Sequence, residues 1–138
     1  MSTIHIDAAG KMARRNQDLY SWVDNVLTTT FHKYAVDRSW APSVNLYEDS
    51  VAYFVLVDLA GVDIAAIDLS VESDRLVLSG ERDMPNPPSK DKRLRMHLME
   101  IDQGHFQRAL KLPPDVNTAE ISAGYRLGFL TIRLPKKG

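Results

Sequence analysis

Histidine, arginine and the small hydroxyl side chains are where this chain could do chemistry, because it contains no cysteine. That absence excludes thiol nucleophiles, disulfides and cysteine-based zinc sites. The four histidines, His5, His32, His97 and His105, are scattered. No two of them stand at the helical spacing that would hold a metal on one face. His97 and Glu100 stand three apart, which on a strand points them to opposite faces. Gly10-Lys11 lacks the upstream glycine of a phosphate-binding loop. Ser79-Gly80 is not part of a G-x-S-x-G elbow and has no histidine in a matching context. No enzyme is expected, and neither a cofactor nor a metal.

One charged residue stands out by its setting. On a strand, Arg108 shares a face with Phe106, Leu110 and Leu112. A guanidinium there needs carbonyl or carboxylate partners, because an unpaired buried charge costs several kcal/mol. It is either a snorkelling arginine at a strand edge or a structural arginine at an interface.

The elements that would carry these residues show two periodicities. Between residues 13 and 34 the apolar side chains Leu19, Trp22, Val23, Val26, Leu27 and Phe31 follow the spacing of one helical face. From Trp40 onward the period is two. Strand candidates cover 44–48, 51–59, 67–72, 75–80, 94–98, 105–112, 120–125 and 129–134, each bounded by turn residues. Ser73-Asp74 reads as a tight hairpin connection. Residues 82–92 carry three prolines and many charges, which excludes a core strand. Many short strands with glycine and proline punctuation predict an all-β sandwich.

At 138 residues, one domain is expected, large enough to hold a core without metal or disulfide. A net charge of −1 with no basic block argues against nucleic-acid binding and does little to oppose self-association. The longest apolar-rich run, 51–62, is short and broken by Asp58. No membrane segment or signal core is read, so a cytoplasmic location is expected.

Five segments, in order, resemble the small heat-shock protein family. Gly104-His105-Phe106-Gln107-Arg108-Ala109-Leu110-Lys111-Leu112-Pro113 fits G-x-F-x-R-x-x-x-L-P. Ala123-Gly124-Tyr125-Arg126-Leu127-Gly128-Phe129-Leu130 is similar to A-x-x-x-x-G-V-L, with Phe129 replacing valine. Trp40-Ala41-Pro42-Ser43-Val44-Asn45-Leu46-Tyr47-Glu48 resembles the domain opening, Asp58-Leu59-Ala60-Gly61-Val62 the D-L-P-G-V turn, and Leu76-Val77-Leu78-Ser79-Gly80-Glu81-Arg82 the L-x-I-x-G-E-R strand. The resemblance spans residues 40–136.

It implies an antiparallel immunoglobulin-like β-sandwich, the α-crystallin domain, at 40–136 behind an N-terminal helical arm at 1–39, with 137–138 a residual tail. The implied function is that of an ATP-independent holdase in the stress response, which captures partly unfolded client proteins and limits their aggregation. A different class is a sandwich co-chaperone or adaptor with one defined folded partner. The arm stripe is expected either to pack on its own sandwich or to contact clients or other subunits, and the two can coexist. In the family, the strands corresponding to Ile67, Leu69, Val71 and to Ile121, Ala123, Tyr125 flank a groove that accepts an Ile-x-Ile tail; since period two gives each strand one inward face, most of these residues also read as core. Because Pro135-Lys136-Lys137-Gly138 directly follows the last strand candidate, the groove is expected to be open, and assembly limited to homodimers or small oligomers. In bacterial and plant relatives a strand is exchanged between subunits. The expected dimer interface here is therefore Leu94, Met96 and Leu98 against the partner's Val44 and Leu46, with Arg108 at or near it.

Overall fold

The computed structural model describes residues 2–7, 13–15 and 39–138. They form ten strands: β1 (Ser2–Ile4), β2 (Ile6–Asp7), β3 (Ala13–Arg15), β4 (Val44–Glu48), β5 (Ala52–Asp58), β6 (Ile67–Glu72), β7 (Arg75–Arg82), β8 (Gly104–Lys111), β9 (Ile121–Arg126) and β10 (Phe129–Pro135). One sheet runs β1-β6-β7-β8 and the other β2-β9-β10-β5-β4, with β3 also paired to β9. The ladders joining β4 through β10 are all antiparallel. The expected antiparallel β-sandwich is the observed fold.

Alternation decides which side chains meet between the sheets. Ile67, Leu69 and Val71 of β6 are buried while Asp68 and Glu72 face water. Leu76 and Leu78 of β7, Phe106 and Leu110 of β8, Val55 and Val57 of β5, and Leu130, Ile132 and Leu134 of β10 complete one continuous core. Each such side chain contributes roughly 1.5–3 kcal/mol on leaving water.

The turns follow from residue type. Gly61 and Gly104 adopt the positive φ expected at turns, 78° and 84°. The β9–β10 hairpin closes on Leu127 and Gly128, at φ 54° and 82°, the left-handed pair that a two-residue I′ turn requires. Gly80 serves packing instead, since a Cβ there would lie 2.2 Å from the Ala66 carbonyl oxygen and 2.5 Å from Cζ of Phe106. The missing side chain is what lets the Phe106 ring seat against β7.

Some expectations change. Ala13–Arg15, at the start of the proposed helical stretch, is a strand on β9. The stripe Leu19, Trp22, Val23, Val26, Leu27 and Phe31 lies outside the described residues. Residues 94–98 are not a strand in this protomer. A strand needs a ladder partner, and within the described chain none is offered to them.

Candidate functional site

The six residues expected to flank a groove lie on β6 and β9 and face the core. Ile67, Leu69, Val71, Ile121 and Ala123 are fully buried, and Tyr125 is partly buried against them. The Tyr125 hydroxyl donates toward the carbonyl oxygens of Leu59 and Val62, each at 2.8 Å, which ties β9 to the turn after β5. Burial pushes its pKa above the usual phenol value.

The groove is not open. Ile4 pairs with Leu69 on β6, and two residues on Ile6 pairs with Ala123 on β9. Both isoleucines are buried, at 2% and 8% exposure, while His5 between them faces solvent. The chain thus crosses from one sheet to the other at His5, closing the mouth of the sandwich with two aliphatic side chains. The expectation of an open groove rested on looking for a filler after Pro135, but the filler stands at the other end of the chain. The available signal was the alternation Ile4-His5-Ile6, too short for a period-two reading to register. The hold is modest. Two side chains at about 1.5–3 kcal/mol each face a backbone ordering cost of about 1–2 kcal/mol per residue.

The opposite side of the sandwich carries the residues expected at a dimer interface. Among the described residues, β4 is the terminal strand of its sheet, and one row of its backbone groups joins no ladder. Leu46 and Tyr47 on it are 41% and 53% exposed. Residues 83–103 form the long excursion between β7 and β8, and along it Leu94, Met96 and Leu98 are 51%, 64% and 75% exposed. Among the described residues, no ladder joins them to β4 or to any other strand.

Arg108 lies between these features. It pairs with the buried Leu78 across β7 and β8, which sets it on the inner face. Its Nη1 donates to the Pro42 carbonyl oxygen at 3.0 Å, just before β4. Its Nε is buried with no hydrogen-bond acceptor among the described residues. Burial lowers the guanidinium pKa.

The base of the excursion is clamped by groups that sequence reasoning left without a role. Arg82, the last residue of β7, donates from Nε and Nη2 to the Asp102 carbonyl oxygen and from Nη1 to that of Ala60. Its guanidinium also lies 4.3 Å from the centre of the Trp40 ring, a cation–π contact. Trp40 in turn packs on Phe106 at 5.2 Å and donates its indole N–H to the Gly104 carbonyl. Both ends of the excursion are thereby pinned to one arginine, and its apolar tip is left projecting.

Among the described residues, no helix is long and apolar enough to cross a membrane.

Comparison with known proteins agrees with this geometry. Residues 45–138 match the model of the Hsp20/alpha crystallin family. The small heat shock protein C2 of Rickettsia felis is 25% identical over 138 residues, covering 95% of this chain and 84% of that protein. A 16.9 kDa class I heat shock protein of Triticum aestivum is 33% identical over 110 residues, covering 79% and 66%. Among solved structures, the small heat-shock protein of Xylella fastidiosa superposes with a TM-score of 0.62 at 28% identity, covering 72% of this chain and 89% of that one. The order of the motifs, the sandwich they build and these matches together place the chain in the Hsp20/alpha-crystallin family of small heat-shock proteins.

Proposed function

We propose that the protein is an ATP-independent holdase that captures partly unfolded proteins and limits their aggregation. Family membership supports a chaperone role without catalysis. The observation that carries the finer reading is the apolar surface left exposed on two elements of the described residues. An unpaired β4 edge bears Leu46, and a projecting excursion bears Leu94, Met96 and Leu98. A symmetric dimer that lays residues 94–98 of each copy along the other's Val44–Glu48 would cover both by one two-fold operation. Arg108, with an unsatisfied Nε near the start of β4, would then have a neighbour able to supply an acceptor.

On that dimer, the stripe Leu19, Trp22, Val23, Val26, Leu27 and Phe31 supplies the client-binding arm. The β6–β9 cleft serves as a second docking place for an extended apolar segment. Several weak apolar sites on one assembly gain avidity for unfolded chains without sequence specificity. The protein acts in the cytoplasm, binds clients and copies of itself, and needs neither nucleic acid nor membrane.

The test is capture. Two unrelated proteins are heated separately with the chain and resolved by size-exclusion chromatography. The holdase reading expects both to emerge in soluble complexes of variable stoichiometry, without nucleotide. Capture of neither, or of a single folded partner at a fixed ratio, would overturn it, the latter in favour of an adaptor.

A further inference from the structure

Sulfur is distributed unevenly along this chain. It has no cysteine, and three of its five methionines, Met84, Met96 and Met99, fall within the 83–103 excursion. All three are exposed, while Met1 and Met12 lie outside the described residues. The described thioethers are therefore gathered on one projecting element.

Their positions are not equivalent. A turn precedes Met96, in which Asp91 accepts from the Arg93 N–H through its carboxylate, at 2.8 Å, and from the Leu94 N–H through its backbone carbonyl, at 3.1 Å. Beyond that turn Leu94, Met96 and Leu98 alternate with Arg95 and His97. An extended backbone there puts Met96 at the centre of a three-residue apolar row. Met84 and Met99 stand outside the row. Met84 instead lines the cavity at the base of the excursion, with Ala60, Pro85 and Ile101. Oxidation turns a methionine from a flexible apolar side chain into a polar sulfoxide, and dedicated reductases reverse it. At the centre of a row that must leave water, the new S=O acceptor is costly unless it is hydrogen-bonded.

We propose that Met96 is a reversible oxidation site that switches the dimer. The oxidant is a hydroperoxide, of which hydrogen peroxide is the simplest. The thioether sulfur takes one oxygen atom as the O–O bond breaks. Sulfur is oxidised by two electrons, the peroxide is reduced by the same two, and its other oxygen leaves as water with both hydrogens. The sulfoxide then opposes the seating of residues 94–98 on the partner's Val44–Glu48. Seating covers Met96, so the oxidant meets it in the free copy, and the sulfoxide in turn keeps that copy free. Its excursion and its β4 edge stay bare. The inference rests on the exchanged-strand dimer given above and adds its regulation.

The chain, Met96→Leu and Met84→Leu/Met99→Leu are each incubated with and without hydrogen peroxide, and each is compared with its own untreated form. Peptide mass spectrometry locates the added oxygen, sedimentation gives the dimer dissociation constant, and far-UV circular dichroism follows the sandwich. Peroxide is expected to weaken the dimer by about tenfold or more in the chain and in Met84→Leu/Met99→Leu. It should leave the constant of Met96→Leu unmoved and every circular dichroism spectrum unaltered. Methionine sulfoxide reductases of both stereospecificities should restore the dimer. Met96 should also oxidise more slowly, relative to Met84, as the chain is concentrated into dimers. An oxidised Met96 in an undisturbed dimer, an equal weakening in Met96→Leu, loss of the sandwich itself, or a Met96 that resists peroxide while Met84 is converted would overturn the switch and leave the exchanged dimer standing. A Leu94→Asp/Met96→Asp variant that stays dimeric would overturn the exchange, and the switch with it.

Discussion

At the scale of single residues, the structure assigns work to groups that the motifs only marked. Gly80 was legible as a letter of a family pattern, but its reason is the Phe106 ring packed where a Cβ would stand. Gly80→Ala is expected to destabilise the fold by about 1–3 kcal/mol through overpacking. Urea unfolding checks it: the midpoint should fall with the slope unchanged. Gly61 and Gly104 were readable in advance, because a turn needing positive φ selects glycine locally. Long-range polar pairs were not. The Tyr53 hydroxyl donates to Asp115, 62 residues away, at 2.9 Å. Burial first, then that carboxylate, pushes its pKa up from 10.0 to about 12. The folded state thus keeps a proton that the unfolded chain releases near pH 10. The resulting stability is whole below that pH and is lost as pH rises toward about 12. Urea unfolding across this range should show the alkaline decline, and Tyr53→Phe should flatten it.

At the scale of elements, period-two alternation located most of the sandwich. The readings at 44–48 and 67–72 coincide with β4 and β6, and those for β5, β7, β8, β9 and β10 differ only by a residue or two at an end. Buried strands with one wet face write their geometry into local sequence. The readings that diverge share one physical cause, which is that pairing is not a local property. Residues 94–98 have strand period yet join no ladder among the described residues. Ile4-His5-Ile6 has too few residues to show a period, yet it pairs with both sheets. The six groove residues were legible as an inward-facing set, but what covers them was not.

If 94–98 is an exchanged element, Leu94→Asp/Met96→Asp should give a soluble monomer with an intact sandwich, as should deletion of residues 91–98. Sedimentation at micromolar concentration, with far-UV circular dichroism for the fold, checks this. Variants that remain dimeric would exclude the exchange. Arg82→Ala should loosen the excursion, since it removes the bonds to Asp102 and the cation on Trp40 together. A loss of about 1–3 kcal/mol is expected, accompanied by faster amide exchange across residues 83–103.

At the scale of the whole molecule, a near-neutral chain with a buried core exposes, among its described residues, aliphatic groups on β4, along the 83–103 excursion, and at Val51 and Leu127 in two turns. Such a distribution suits association through edges rather than reaction in a pocket. The arm stripe extends that logic: replacing Leu19, Val23 and Leu27 together by serine should leave the sandwich folded and lower client protection several-fold. The central claim is that these surfaces hold unfolding proteins without nucleotide. Light scattering of two unrelated heated proteins, each titrated with the full chain, tests it most directly. The account predicts that scattering from both falls in proportion to the chain added and is unaffected by ATP. Undiminished scattering at a several-fold excess of chain, or protection that appears only with ATP, would contradict it.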